Sequence, residues 1–369
     1  MSIRHFIIGI LLSAGAAAYA VPSLVYNGDT LEWNYAWKRV QCGTLDVKEN
    51  IIEVSGIACS RVTPGYIWMQ SDETDSKTNP FIIATDEKGE KRACKVNFNK
   101  IYRWDWEDMS GGVYEGKDYL FIGGFGDNDE TDGEYCIIYF EEPAIDPVNT
   151  PEVTVTASRI KFVYPDGKRH NCEALMYDNL TQTIFIITKV YYNVCQVFSI
   201  PFRLDYGDEM QTLTYICDLG VKSDLGDGSK PYKGFHLVTA ADISPDGKYI
   251  LIKNHNNIVA KYSWILYWAR QDGESIADVL KRQPQPLHCY SYEWQGEAIC
   301  WLDDDTFYTT SDADDGNPPI FKYMRQWPDG IDQTVGGKGQ TGNGKFIRDG
   351  QLCIRRGGKI YTATGQELR

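Results

Sequence analysis

The sequence predicts an all-β fold made of repeated small sheets, and three observations support this. A phrase of small or acidic residues followed by an apolar run recurs five times, at steps of 52, 66, 68 and 56 residues. A turn and a second apolar run follow each copy. Aromatic residues make up 13% of the chain, which suits half-buried pleated strands better than helices. Repeats of this length and strand content are typical of a β-propeller with one blade per repeat.

The five copies of the phrase define the predicted inner strand of each blade. They are Ser55-Gly56-Ile57-Ala58, Glu107-Asp108-Met109-Ser110, Glu173-Ala174-Leu175-Met176, Ala241-Asp242-Ile243-Ser244 and Glu297-Ala298-Ile299-Cys300. The third residue of each copy is taken as one register position. The second apolar run then predicts a strand joined to the first as a hairpin. Five blades are favoured, with six as the alternative.

The fifth repeat lacks a clear fourth strand, and the segment Lys38–Leu45 lies just before the first repeat. Pairing that segment with the last repeat would close the ring. Because closure removes exposed sheet edges, we expect the N-terminal segment to supply the missing strand. One helix is predicted, at Glu274–Lys281.

The predicted domain organisation has four parts. Residues 1–20 resemble a signal peptide, with a basic start at Arg4, an apolar core and Ala18-Tyr19-Ala20 as the cleavage site. Residues 21–328 form the propeller, 329–345 a Gly-rich loop or linker, and 346–369 a C-terminal β-hairpin tail or part of a last blade. No other stretch is long enough to span a membrane. We therefore expect a secreted protein in the periplasm, at the cell surface or outside the cell.

The net charge of the chain limits the kinds of partner that it is expected to bind. The chain has 37 basic and 51 acidic residues, a formal net charge of −14. Such a surface repels nucleic acid and anionic lipid. The expected partners are an extracellular glycan, a protein or a small-molecule ligand, and the protein is expected to be a monomer. Its ten cysteines are expected to be mostly buried thiols, with one or two disulfides allowed by an exported context.

Propeller topology predicts where a ligand would bind. The starts of the inner strands and the ends of the second strands converge on one mouth of the central channel. Four acids in the repeated phrase are predicted metal ligands: Glu107, Glu173, Asp242 and Glu297. The predicted ligand-binding residues are Asp108, Asp72, Asp127, Lys189, Lys253 and Asp312. No catalytic residue is assigned.

Clustered carboxylates need a counter-charge, because like charges so close cannot all ionise. A bound Ca²⁺, which takes six to eight oxygen ligands, would supply it, as would Lys189 and Lys253. The structural alternative is that these acids accept backbone N–H bonds and have no ligand. The expected cofactor is Ca²⁺.

The strings "SGIACSRVTPGYIWMQSDE", "DWEDM", "YLFIGGFGDND", "NCEALMYD", "VTAADISPDGKYILIK" and "QGEAICWLDDDTFYTTSD" resemble a family of secreted bacterial propellers of unassigned activity. The chain departs from that family at Gly124, where members carry an acid. More distantly, it is similar to phytase-like and gluconolactonase-like calcium propellers, which use metal-activated water on phosphate esters and lactones. The last twenty residues resemble the tails of Bacteroidetes proteins exported by the type IX route.

Two functions follow as hypotheses. The first is a secreted ligand-binding protein with an acidic, Ca²⁺-occupied channel mouth that acts on extracellular glycan or protein. The alternative is a metal-dependent hydrolase of phosphate esters or lactones, in which a metal-bound water attacks. The sequence leaves open whether the protein is an enzyme.

Overall fold

The structure is a computed structural model that describes most of the central part of the chain. The described residues are 26–27, 30–31, 37–51, 53–72, 80–99, 101, 105–131, 133–190, 194–219, 236–256, 263–282, 284–287, 293–312, 316–325, 344–348, 351–356, 359–362 and 367–368. The predicted signal peptide and most of the predicted linker lie outside these residues.

Blade 1 follows three N-terminal strands. A short pair comprises β1 (Tyr26–Asn27) and β2 (Thr30–Leu31), and β3 (Trp37–Thr44) comes next. The antiparallel strands of blade 1 are β4 (Val54–Cys59), β5 (Tyr66–Ser71), β6 (Phe81–Asp86) and β7 (Arg92–Phe98).

Blade 2 begins with β8 (Trp106–Tyr114), β9 (Lys117–Gly124) and β10 (Tyr135–Glu141). The next two strands, β11 (Glu152–Val155) and β12 (Ser158–Val163), belong to different blades. β11 pairs in parallel with β7 of blade 1, whereas β12 pairs with β10. The sequence segment 153–162 therefore links two adjacent blades through their outer edges.

Blade 3 contains β13 (Cys172–Asp178), β14 (Thr183–Thr188) and β15 (Gln196–Pro201). β16 (Met210–Thr212) crosses to pair in parallel with β12 of blade 2, and β17 (Thr214–Asp218) completes blade 3.

Blade 4 contains β18 (His236–Ile243), β19 (Tyr249–Asn256) and β20 (Ser263–Ala269). The predicted helix follows as α1 (Ile276–Lys281), before β21 (Gln285–Leu287) forms the outer edge. The Ser275 hydroxyl caps α1 by accepting the Asp278 amide at 3.1 Å.

Blade 5 joins the two ends of the chain, as predicted. Its first strands are β22 (Ala298–Asp303), β23 (Thr306–Thr310) and β24 (Pro319–Arg325). β3 supplies the fourth strand, pairing antiparallel with β24 from Trp37 opposite Arg325 to Thr44 opposite Pro319. The inner strand β22 also contacts β4 of blade 1 directly. The ring is therefore complete with five blades, and the fold is the predicted five-bladed β-propeller.

The C-terminal segment forms a sheet of its own. Its antiparallel strands are β25 (Gly344–Arg348), β26 (Gln351–Arg356), β27 (Lys359–Thr362) and β28 (Glu367–Leu368). The predicted hairpin forms the middle pair, β26 and β27. Because blades 1 and 5 already meet, this sheet is not a sixth blade.

The core lies between the blades rather than within one layer. Five apolar clusters each fill one of the five interfaces between neighbouring blades. The closing strand is held by Trp37, whose ring lies 5.9 Å from Trp301 and 5.0 Å from Phe307, centroid to centroid. Burial of an aromatic side chain of this kind contributes about 2–3 kcal/mol.

Two further observations concern the described residues. No helix among them is long and apolar enough to cross a bilayer. Eight described cysteines are thiols, and all of them except Cys42 are buried.

Candidate functional site

Irregular strand pairing shapes one mouth of the channel. In the inner strands of blades 1 to 3, the register with the second strand slips where the repeated phrase begins, and in blade 4 it slips two residues before the phrase. A β-bulge of this kind turns a side chain out of the regular alternation. The bulge residues, which have no opposite residue in the second strand, are Ser55, Glu107 with Asp108, Glu173 and Thr239. In blade 5, Glu297 directly precedes the inner strand.

Three of these residues, Glu107, Glu173 and Glu297, gather around Lys189. Lys189 follows β14, and its Nζ lies 2.5 Å from Glu173 Oε2. The other Glu173 oxygen accepts the Asn171 side-chain amide at 3.2 Å, and Ser55 donates its hydroxyl to Glu107 Oε2 at 3.4 Å. All three glutamates are buried. The topology therefore brings together three of the four predicted metal ligands, with a lysine among them.

Electrostatics in this mouth is dominated by burial and by the repulsion between its acids. Burial, Glu173 and Asp105 raise the pKa of Glu107 well above its usual value. Burial raises the pKa of Glu297 in the same way, and Glu173 and Asp72 add to it while Lys189 opposes it. Burial would lower the pKa of Lys189, but the three glutamates together raise it. The raised pKa values of Glu107 and Glu297 therefore favour the protonated form of these two carboxyl groups over a wider pH range than usual.

His255 lies at the same mouth, at the end of β19. Its Nδ1 is 3.8 Å from Glu297 Oε1. Burial, with the positive charges of Lys189 and Lys253, lowers the pKa of His255 to about 3. The imidazole is therefore neutral at physiological pH and offers one donor and one acceptor.

Two predicted ligand-binding acids, Asp72 and Asp312, lie at the edge of this group. Asp72 raises the pKa of both Glu107 and Glu297, and Asp312 raises that of Glu297. Asp312 also accepts the Gln295 side-chain amide at 2.5 Å.

The absence of a side chain at Gly126 leaves room for the carboxyl group of Glu107. A Cβ atom added at Gly126 would collide with the carboxylate oxygens of Glu107 and Asp105. Gly124, where the resembled family carries an acid, lies instead at the end of β9 beside Cys136 and Trp106.

Several buried polar atoms near this mouth have no hydrogen-bond partner among the residues that the structure describes. They are Gln70 Oε1 at the end of β5, both amide atoms of Asn254 and Nδ1 of His255 near the end of β19, and Ser311 Oγ just after β23. The four residues are all more than 90% buried. Buried polar groups are normally hydrogen-bonded, so these atoms are available to bind water or a ligand.

Asp108 and Asp242 have a structural role in the wall of the ring. Asp108 Oδ2 accepts the backbone amides of Leu175 at 2.8 Å and Ala241 at 2.9 Å, which joins blades 2, 3 and 4. Asp242 accepts the Ser110 hydroxyl at 3.1 Å and the Trp301 amide at 2.8 Å. These contacts match the structural alternative considered for the acids.

The predicted register of the fourth repeat is wrong by two residues. Leu175 and Ala241 occupy equivalent positions, because each is the second residue after the bulge of its strand. The counterpart of Glu173 is therefore Thr239, which lies in the bulge of β18, and not Ala241, where the predicted register placed it. Asp242 lies three residues after the bulge and does not occupy the mouth position of this blade. The sequence pattern alone could not fix the register, because Ala241-Asp242-Ile243 repeats the order small, acidic, apolar two residues after the bulge at Thr239.

Asp127 and Lys253 are also engaged within the fold. Asp127 accepts the Tyr135 hydroxyl at 2.6 Å and the Thr131 amide at 2.7 Å. Lys253 is fully buried, forms an ion pair with Glu293, and donates to the carbonyl of Thr310 at 3.0 Å. This ion pair links blade 4 to blade 5.

Sequence reasoning missed the neutral members of the mouth. Ser55 and Thr239 occupy the same bulge position as the glutamates, and Ser55 could have been found because it begins the first copy of the phrase. Gln70, Asn254 and Ser311 carry no signal in the sequence beyond their place near the ends of second strands.

A cavity of about 330 Å³ lies at the opposite ends of the inner strands. Its polar side chains are mostly engaged in structural contacts. Arg61 pairs with Asp118 at 2.9 Å, and Asn179 accepts the Val113 amide at 2.8 Å. Asp242 accepts the Ser110 hydroxyl and the Trp301 amide. The mouth that holds Glu107, Glu173, Glu297, Lys189 and His255 is therefore the better candidate for ligand binding.

The described residues do not fit a calcium cage. Within the described ranges, no group of three or more His, Cys, Asp or Glu side chains is arranged to hold a metal ion. Lys189 occupies the position beside Glu173 that a cation would take. Asp242 uses both oxygens in the ring wall. The counter-charge in this mouth is the lysine, which was the other remedy that the sequence offered.

Comparison with known proteins adds little to this geometry. No protein-family model matches the sequence, and no relative was found among curated proteins. The chain is similar to the periplasmic gluconolactonase of Pseudomonas aeruginosa, at 11% identity over 82% of this chain and 81% of that chain, with a TM-score of 0.34. It is also similar to a structural genomics protein of unknown function from Bacteroides thetaiotaomicron, at 10% identity over 79% and 76%, with a TM-score of 0.39.

A third similar structure is the β-propeller domain of Cps50 (Swd1) from Myceliophteria thermophila, at 12% identity over 73% of this chain and 83% of that chain, with a TM-score of 0.33. Likenesses this weak carry no argument about activity. The assignment of a five-bladed propeller depends on the strand pairings described above.

Proposed function

We propose that this chain is an exported ligand-binding β-propeller whose glutamate mouth binds the hydroxyl groups of an extracellular glycan. The glutamate mouth is the group formed by Glu107, Glu173, Glu297, Lys189 and His255. Support for export comes from the N-terminal sequence, and support for the ligand class comes from the chemistry of this mouth.

The observation that carries the proposal is a set of buried polar atoms that have no hydrogen-bond partner among the described residues. Gln70 contacts the Glu107 carbonyl, and Asn254 and Ser311 are the chain neighbours of His255 and Asp312. Gln70 Oε1 is an acceptor, Ser311 Oγ both donates and accepts, and the Asn254 amide offers two donors and an acceptor. Neutral His255 adds one nitrogen. A sugar hydroxyl both donates and accepts, so it suits a mixed neutral set of this kind.

Charge in the mouth also favours a neutral ligand. Glu173 is paired with Lys189, and the raised pKa values of Glu107 and Glu297 keep them protonated over a wider pH range. A protonated carboxyl group donates as well as accepts a hydrogen bond. A phosphate or carboxylate ligand would instead meet three glutamates with one lysine between them.

Titration calorimetry against a panel of neutral oligosaccharides tests the proposal. We expect binding that Glu173→Gln weakens at least about 10-fold, since a hydrogen bond to a charged group contributes about 1.5–3 kcal/mol. Glu141→Gln is the matched control, because Glu141 is an exposed partner of Lys117 on the outside of blade 2. The proposal would be overturned if the unmodified protein bound none of the oligosaccharides, or if the Glu173→Gln variant bound them as tightly as the unmodified protein.

A second candidate is a hydrolase of lactones, and one observation favours it. A buried glutamate with a raised pKa beside an ion-paired glutamate is an arrangement that supplies a proton donor and a proton acceptor side by side. A lactone is neutral and suits the same mouth, whereas a phosphate ester is disfavoured there without a metal. Turnover of a lactone panel that Glu107→Gln abolishes, with the fold retained, would favour the enzyme over the binding protein.

A further inference from the structure

Two cysteines face each other across the seam of the ring, the interface where blade 5 meets blade 1. Cys59 ends β4 and Cys300 is the third residue of β22. Their Sγ atoms are 3.4 Å apart. Both side chains belong to the apolar cluster that fills this interface.

This contact differs from those of other described cysteines. Cys42 and Cys94 lie against backbone carbonyl oxygens, at 3.3 and 3.8 Å, and Cys172 lies 3.0 Å from the Tyr164 hydroxyl. Those sulfurs have oxygen neighbours with which they cannot form a covalent bond. The sulfur of Cys59 instead contacts the sulfur of Cys300.

We propose that Cys59 and Cys300 form a disulfide that joins the first repeat to the last. Bonded sulfurs lie about 2.05 Å apart, so the two sulfurs need to approach by about 1.4 Å. The inner strands that carry them are already in contact. The bond therefore requires side-chain rotation and small shifts, with no rearrangement of the ring.

An oxidant reaches the pair from the cavity at the opposite ends of the inner strands, because Cys59 is among the residues that line it. Cys300 is only 1% exposed, compared with 7% for Cys59. Cys59 therefore attacks the disulfide of a small or protein disulfide oxidant first, forming a mixed disulfide and releasing one thiol of the oxidant.

Cys300 then attacks the Cys59 sulfur in that mixed disulfide and releases the second thiol of the oxidant. Overall, the two cysteines lose two electrons and two protons, and the oxidant is reduced to two thiols. Burial raises the pKa of the Cys300 thiol, which lowers its thiolate fraction and slows this second attack.

The position of the bond gives it a specific effect on stability. Blade 5 contains strands from both ends of the chain, so the ring is closed by non-covalent pairing of β3 with β24. A bond between residues 59 and 300 closes a loop of 241 residues in the unfolded chain. Cross-links over long loops constrain the unfolded state most.

Peptide mapping of the full chain tests the proposal. Reduced protein is equilibrated in glutathione buffers of increasing oxidised fraction, free thiols are alkylated, and non-reduced digests are analysed by mass spectrometry. We expect a cross-linked peptide pair containing Cys59 and Cys300, and a melting temperature about 5–10 °C higher than that of the reduced protein.

The variants Cys59→Ala and Cys300→Ala should each abolish the response of the melting temperature to reductant, whereas Cys94→Ala, a buried cysteine away from the seam, should keep it. If a variant fails to fold, mapping of the unmodified chain still decides the question. Alkylation of both Cys59 and Cys300 in fully oxidised buffer, or a bond from either one to another cysteine, would overturn the proposal.

Discussion

Glu107 and Asp108 are neighbours in the sequence, and both are buried acids in the same β-bulge, yet they belong to different regions of the molecule. Glu107 points into the mouth, where its neighbours are Glu173, Asp105 and the Ser55 hydroxyl. Asp108 points into the ring wall, where it accepts three backbone amides, those of Met109, Leu175 and Ala241.

The difference shows how to tell a structural acid from a candidate ligand-binding acid. The carboxylate of Asp108 is satisfied by amides of neighbouring blades, so its burial holds the ring together. The carboxylate of Glu107 is surrounded by other acids and shares one lysine with them, an arrangement that stability alone does not favour. Burial by itself therefore does not separate the two roles, whereas the partners do.

Removal of the Asp108 carboxylate should have the largest effect on stability. Asp108→Ala leaves three buried amides without an acceptor, and we expect a loss of about 3–5 kcal/mol in the free energy of unfolding. Chemical denaturation measures it, with Asp108→Asn as the isosteric variant that keeps one acceptor oxygen. A loss below about 1 kcal/mol would contradict the role of Asp108 as the link between blades.

The second largest expected effect is a loss of stability as the pH rises from 4 to 7. Burial raises the pKa of Asp242 to about 7, against 3.8 ordinarily, so the folded protein keeps a proton that the unfolded chain releases. Stability is therefore highest below pH 3.8 for this group and falls as pH rises towards 7, by up to about 1.4 kcal/mol per pH unit.

Denaturation at several pH values, repeated on Asp242→Asn, measures this contribution. The variant should show a shallower fall between pH 4 and pH 7, because one of the groups with a raised pKa is gone. Glu107, Glu297 and Asp108 contribute in the same direction, so a fall should remain in the variant. Identical slopes for the two proteins would mean that Asp242 is ionised in the folded state.

Neutralisation of Glu107 should change stability far less than neutralisation of its neighbour. Glu107→Gln removes a desolvated acid from among like charges, and we expect the free energy of unfolding to stay within about 1 kcal/mol of that of the unmodified protein. Asp108→Asn is the matched comparison. Equal losses for the two isosteric changes would remove the distinction between mouth and wall.

Chelation should have the smallest effect. Because Lys189 supplies the counter-charge beside Glu173, we expect no more than about 1 °C difference in melting temperature between EDTA and millimolar Ca²⁺. Differential scanning calorimetry in both buffers measures it. A clear rise in calcium would instead support the calcium site predicted from the sequence.

Most of the fold was determined by features that the sequence displays locally. The fivefold repeat, the paired apolar runs and the turn residues predicted five blades, and the missing fourth strand of the last repeat predicted closure by β3. Three glutamates of the mouth were found because they recur at one place in that pattern. The period of the apolar residues predicts which residues share a strand and a face. This prediction uses only residues that are close in the sequence, so it does not depend on contacts between blades.

Only the tertiary structure decided what each acid does. Two features arise from how the inner strands pair and pack. One is the bulges that turn Glu107 and Glu173 into the mouth, and the other is the register that puts Thr239, rather than an acid, at the equivalent position of blade 4. The same packing brings Lys189 to Glu173 and the amides of two other blades to Asp108. These partners come from residues up to 133 positions apart, and a local pattern of residues does not encode such contacts.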